Sequence, residues 1–142
     1  MKAKDLRLGN LVVFKQSMDI HSISGTLENG ETNSYEVDEN KIDRFIEYSA
    51  PIDHYEPIPL TEKKLLEYDF KLLSQKVTRK GVLREFVKKG VRIELSYGLN
   101  FYYKGRKSLI IDHVHQLQNL YFALTGEELE INNNTRTGAN NH

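Results

Sequence analysis

The sequence has no cysteine and no tryptophan, and its only prolines, Pro51, Pro57 and Pro59, lie within nine positions of one another. Lacking cysteine, the chain can form no disulfide, no thiolate nucleophile and no sulfur-ligated metal site, so its stability has to come from a core. Long apolar runs are also missing. The most extended are Leu11-Val12-Val13-Phe14 and Leu109-Ile110-Ile111, far short of the ~18 to 20 residues that cross a bilayer. The first residues, Met1 to Leu6, carry positive charge, but the apolar stretch of a secretory signal does not follow, which implies a cytoplasmic protein.

What is present is ordinary globular usage, with 142 residues, 39% hydrophobic and 28% charged. At that length folding buries roughly 68–70% of the unfolded surface, enough for one domain or two very small ones. The first fifty residues read as short strands, Leu11 to Lys15, Ile20 to Leu27, Tyr35 to Val37 and Phe45 to Tyr48, with Asn29-Gly30 suited to a tight hairpin turn. The stretch Leu6 to Val12, with its Gly9 turn before the first strand, is similar to the start of small SH3-like barrels.

The prolines stiffen residues 49–60 into a connector, because each fixes its own φ and pushes the preceding residue toward extended geometry. Thr61 then stands where an N-cap belongs, with Glu62, Leu65, Leu66 and Phe70 outlining a short helix at about 61 to 69. Five strand-like runs follow, Leu72 to Thr78, Val82 to Lys88, Val91 to Ser96, Phe101 to Lys104 and Ser108 to Ile111, punctuated by glycine turns. Val91, Ile93 and Leu95 alternate with Arg92, Glu94 and Ser96, the pattern of a strand buried on one side. Asp112 is placed to cap a helix at about 113 to 125, with Val114, Leu117, Leu120, Tyr121 and Leu124 at helical spacing and Thr125-Gly126 as its stop. The expected class is α+β: a small N-terminal antiparallel β-barrel-like (SH3-like) module over 1–50, a proline connector with a short helix over 51–70, and an antiparallel sheet packed by a C-terminal helix over 71–131. Residues 132–142, rich in Asn, read as a disordered tail.

The segment His115-Gln116-Leu117-Gln118-Asn119-Leu120-Tyr121-Phe122-Ala123-Leu124-Thr125-Gly126-Glu127-Glu128-Leu129 resembles the C-terminal signature of a family of small uncharacterised proteins of gut-dwelling anaerobic bacteria and their phages. The opening Lys2 to Asn10 and the junction Pro57 to Glu62 are similar to the same family. The resemblance implies a phage or prophage origin, hence the cytoplasm of a host cell, and the same two-part layout; it implies no catalytic residues. The family carries Gly before the Phe that closes the first helix, whereas this chain has Asp69 before Phe70.

Charge is unevenly spread under a net total of zero. Residues 1–70 hold 8 Lys/Arg against 14 Asp/Glu, residues 71–110 hold 11 against 2, and residues 111–142 hold 1 against 4. The basic middle is interleaved with aromatics, the combination that phosphate-bearing and base-bearing ligands use. Arg84, Lys88, Lys89, Arg92, Tyr97, Tyr102, Lys104 and Arg106 are its candidate ligand-binding residues. The competing reading is that these cations are solvated at hairpin tips or paired internally with the acidic front.

A second constellation lies on the last helix, where His115, Gln118, Asn119 and Phe122 form a polar and aromatic seam that either meets a ligand or satisfies interior groups. His113 and His115, two apart, point ~200° from each other on a helix and meet at one ion only on extended chain. No nucleophile elbow, phosphate loop or zinc-helix motif occurs, so neither catalysis nor a metal or other cofactor is expected. The sequence therefore points to a non-catalytic phage-borne binding protein engaging nucleic acid or a nucleotide, the latter including sequestration of a host signalling nucleotide in an enclosed pocket. The alternative is a protein-binding module, an inhibitor of a host defence protein or a homo-oligomer.

Overall fold

The computed structural model describes Met1 and residues 5–26, 31–37, 47–105 and 108–130. The predicted Asn29-Gly30 turn, the start of the fourth strand at Phe45, Arg106 and the tail over 132–142 lie outside the described residues. The chain divides into two compact units, Met1–Ile58 with His113–His115 and Pro59–Asp112 with Gln116–His142. The secondary structure is mostly antiparallel sheet with few helices, an α+β arrangement. No described helix is long and apolar enough to cross a membrane.

Unit 1 is built on strands β1 (Leu11–Phe14), β2 (Asp19–Thr26), β3 (Glu31–Glu36), β4 (Glu47–Pro51) and β5 (Tyr55–Pro57), in the order β4-β3-β2-β1-β5. Alternation along β1 and β3 sends Val12, Phe14, Thr32 and Ser34 inward, and Val12, Phe14, Ile23, Ala50 and Tyr55 form the core. The five strands do not close into a barrel, since β4 and β5 remain edges. β5 occupies part of what the sequence suggested was only a connector. The prolines do not prevent it, because Pro51 and Pro57 sit at the ends of the two edge strands, where a missing N–H costs no ladder bond.

Unit 2 opens with helix α1 (Glu62–Glu67), capped as the sequence predicts: the Thr61 side chain accepts the Lys64 N–H at 3.1 Å. Asp69 takes a left-handed φ of 69°, and the helix ends with Asp69 N–H on Leu66 O and Phe70 N–H on Leu65 O, both at 3.0 Å. Asp69 thus adopts the left-handed geometry that commonly ends a helix. Strands β6 (Lys71–Thr78), β7 (Gly81–Lys88), β8 (Val91–Ser96), β9 (Asn100–Lys104) and β10 (Ser108–Ile110) follow as an uninterrupted antiparallel meander in the order β10-β9-β8-β7-β6.

One face of this second sheet is apolar. Phe86, Val91, Ile93, Leu95 and Phe101 are buried there, with Phe70 edge-on to Tyr121 at 6.3 Å. Tyr121 belongs to α2 (Val114–Thr125), where Val114, Leu117 and Tyr121 are buried as expected, but Leu124 is half exposed and His115 and Gln118 are buried instead. The inward stripe is therefore rotated toward the polar seam. The opposite sheet face carries Arg92, Glu94, Glu85, Tyr102 and Lys104.

Candidate functional site

Strand pairing separates the predicted basic residues. In antiparallel ladders directly opposed residues share a face, so Arg84, opposite Leu95, and Lys88, opposite Val91, belong to the apolar face. Arg92, Tyr102 and Lys104 belong to the other. Lys89 lies in the β7–β8 turn and Tyr97 in the β8–β9 turn, each with a left-handed φ, 48° and 55°. Arg106 falls outside the described residues.

Each of the five described cations in that set already has a partner. Arg84 donates to Glu62 at 3.2 Å and to Gln75 at 3.1 Å, Lys89 meets Glu127 at 2.5 Å, Arg92 pairs with Glu85, and Lys104 lies 3.4 Å from Glu94. Lys88 donates to Tyr68 O at 2.8 Å and stands 5.3 Å above the Tyr121 ring. Burial pushes its ammonium below the ordinary lysine range, with Asp69 opposing the shift, and pushes the neighbouring Tyr68 phenol up to about 12. Lys88 is a packing cation rather than a surface one.

Three predicted residues do converge. Tyr97, Tyr102 and Lys104, with Glu94, Ser96 and Asn100, line an open cleft of about 360 Å³ on the charged face of the sheet. Its lysine and carboxylate pair with each other, and Ser96 adds a 2.9 Å hydrogen bond to Glu94, so this pair brings the cleft no net positive charge for an anion.

Four cations of the basic middle have side chains with neither an ion-pair nor a hydrogen-bond partner among the described residues. They are Lys71 and Lys76 on β6 and Arg79 and Lys80 in the turn that ends it. β6 is the edge of the sheet, eight residues long, and exposed at every position but Thr78. Leu72, Leu73 and Val77 are 51%, 50% and 74% exposed. A register shift between Leu72 and Ser74 makes Leu73 an extra residue. Past it, Ser74 and Lys76 oppose Glu85 and Leu83 on the charged face, together with Lys71 opposite Val87. Leu72, Gln75 and Val77 take the other face. Sequence reasoning counts these lysines in the basic middle without singling them out. The available signal is that Lys71 to Thr78 contains no acid and lacks the one-sided alternation of Val91 to Ser96, as befits a strand with neither face fully covered.

The helix seam separates too. His115 and Gln118 are buried, Asn119 is half-buried and Phe122 is 39% exposed. Because α2 begins at Val114, His113 precedes the helix, and its ring stacks on that of His115 with centroids 5.8 Å apart instead of pointing away. No group of three His, Asp or Glu with metal-binding geometry occurs among the described residues.

Unit 1 holds a chain of buried polar groups that the sequence does not announce. Tyr55 donates its hydroxyl proton to Thr32 O at 3.2 Å, so the 2.8 Å contact from Ser34 must be donated by Ser34. Ser34 in turn accepts from His21 Nδ1 at 2.8 Å, which fixes the neutral Nδ1–H tautomer and leaves Nε2 as a buried acceptor with no partner among the described residues. Phe14 stacks on His21 at 4.8 Å and Tyr48 tilts against it at the same distance. Burial lowers the His21 pKa below its ordinary value despite Glu36 and Asp19. Ser34 and His21 are fully buried, so this arrangement cannot present a nucleophile to a substrate and acts as a structural brace. Nearby, Phe14, Tyr48, Gln16, Glu31, Ser49 and His54 line an open cleft of about 570 Å³. No protein-family model, curated protein or solved structure matches the chain.

Proposed function

We propose that the chain is a non-catalytic binding protein whose partner is another protein, and that β6 of unit 2 is the contact element. The observation that carries this reading is an eight-residue edge strand exposed at seven positions, with three large apolar side chains among them. A row of unpaired backbone donors and acceptors beside exposed Leu and Val favours a peptide chain as ligand. A nucleic-acid partner is favoured less, because the aromatic-interleaved cations are paired with carboxylates or a carbonyl. The resemblance of the last segment to phage-borne proteins suits a partner of host origin. In unit 1, the order β4-β3-β2-β1-β5 with a single 3-10 turn, Ile52–His54, between the last two strands supports an SH3-like descent, itself a common protein-binding scaffold.

Panning a random peptide library on the full chain tests the reading whatever the partner's identity. Enriched peptides should lose binding to a Leu73→Asp/Val77→Asp variant and keep it with Leu99→Asp, which changes an exposed apolar residue in another turn. No enrichment, or enrichment indifferent to the β6 variant, overturns it. Steeply salt-dependent binding of an oligonucleotide, without peptide binding, would favour the nucleic-acid reading instead.

A further inference from the structure

We propose that β6 accepts an extended acidic segment of its partner as a sixth strand, with carboxylates over Lys71 and Lys76 and apolar side chains beside Leu72 and Val77. The inference rests on the protein-binding reading and adds the chemistry of the partner. It follows from three features of one strand.

The first is length. Eight residues span about 26 Å at the usual strand rise, room for main-chain hydrogen bonds along one side before and after the extra residue Leu73. The second is the segregation of side chains by face. Lys71 and Lys76 project on the same face as Ser74, whereas Leu72, Gln75 and Val77 project on the other. A strand laid alongside meets the same two environments in alternation, so the complementary sequence alternates acidic and apolar residues. The third is charge. β6 and its Arg79-Lys80 turn hold four cations and no acid, and none of the four has an ion-pair partner among the described residues.

That same charge decides against the simplest other occupant, a second copy of the chain. Two β6 strands paired edge to edge would set lysines beside lysines on a shared face with no carboxylate between them, and like charges across a ladder destabilise it. A nucleic acid could neutralise the lysines and accept from some backbone N–H groups, but it could not match the strand's alternating main-chain donors and acceptors as a ladder, nor pack on the exposed Leu72 and Val77.

The test is fluorescence anisotropy of labelled peptides with the full chain. The probes are an alternating Glu-Val octapeptide, a block-scrambled peptide of the same composition, a Lys-Val counterpart and a single-stranded oligonucleotide. The Glu-Val peptide should bind at least tenfold more tightly than its block scramble. A Lys71→Glu/Lys76→Glu variant should lose that binding by tenfold or more and gain affinity for the Lys-Val peptide. Both positions are exposed, so the variant should keep its fold, checked by its urea midpoint. Hydrogen exchange should show β6 amides newly protected in the complex. Equal binding of the scramble, equal binding of the oligonucleotide, no binding, or indifference to the charge reversal overturns the proposal. If library-selected peptides depend on Leu73 and Val77 while the Glu-Val peptide and its scramble bind alike, the acidic strand fails and the protein-binding reading survives.

Discussion

In the first sheet the polar residues with most at stake are inside: His21 and Ser34 are fully buried and are joined through Tyr55 to the Thr32 carbonyl in a hydrogen-bonded chain. In the second sheet the charged residues lie on or near the surface; Arg84, Arg92 and Lys104 are paired across strands or between strand and helix, while Lys71 and Lys76 lie on the open edge strand without an ion-pair partner among the described residues. The contrast matters because a buried polar group left without a partner is costly, whereas an exposed ion pair gains little. Unit 1 uses polarity to specify its interior, and unit 2 keeps polarity where a partner can meet it.

The comparison is broken most severely by Ser34→Ala. This change orphans His21 Nδ1 and removes the hydrogen bond received by Tyr55, and at about 1–3 kcal/mol for each stranded group it should destabilise unit 1 by roughly 2–4 kcal/mol. Urea unfolding followed by tyrosine fluorescence measures the loss. A change below about 0.5 kcal/mol would mean that the chain of hydrogen bonds is not what holds the first core together.

Acid should divide the two units next. His21 and His115, both in unit 1, have folded-state pKa values lowered from 6.5, in each case first by burial; the His113 charge adds to the effect at His115, while Asp5 opposes it. A base whose folded pKa is depressed contributes stability that is complete above its unfolded pKa and drains away as the pH falls below 6.5 toward the folded value. Unit 1 should therefore soften below about pH 6.5, and His21→Gln should flatten its pH profile. In unit 2 the shifted groups are Lys88, lowered by burial, and Lys89, Tyr68 and Tyr121, all raised; none is a histidine. Hydrogen exchange at about pH 7.5 and about pH 5.5 separates the units; an equal acid response in both would refute the assignment.

A third change tests how the second sheet is turned. Gly81 follows the Arg79-Lys80 turn with φ at 138°, and a Cβ there would stand 3.3 Å from the Tyr97 ring. Gly81→Ala should cost about 1–2 kcal/mol through the backbone alone. Tyr97→Ala relieves the crowding but not the φ, so the double variant should recover only part of the loss.

Much of this architecture is legible in the sequence. All five strands of unit 2 fall within two residues of their predicted limits, because Arg79-Lys80-Gly81 and Lys88-Lys89-Gly90 mark turns in the sequence. Both helices are visible through a cap or a periodic stripe. β5 is not, because prolines on either side of so short a segment read as a linker until the pairing with β1 is known. The basic patch is a one-dimensional signal for a two-faced object. Residues alternating along β7 go to opposite faces, so Arg84 and Lys88 leave the surface on which Arg92 and Lys104 remain. Which cations find carboxylates depends on contacts such as Arg84 with Glu62, 22 positions apart, and local pattern does not encode them.

The mildest change is the sharpest control on the contrast between the units. Lys89 and Glu127 form a 2.5 Å ion pair whose side chains are both more than half exposed. Glu127 raises the Lys89 pKa, first through their hydrogen bond, yet water and salt screen such a pair and each long side chain loses freedom in forming it. Lys89→Ala should leave the urea midpoint unchanged at physiological ionic strength, in the same assay in which Ser34→Ala shifts it. A clear loss at Lys89 would show that surface pairing does hold the second sheet, and that its charges are committed to the fold and not to a partner.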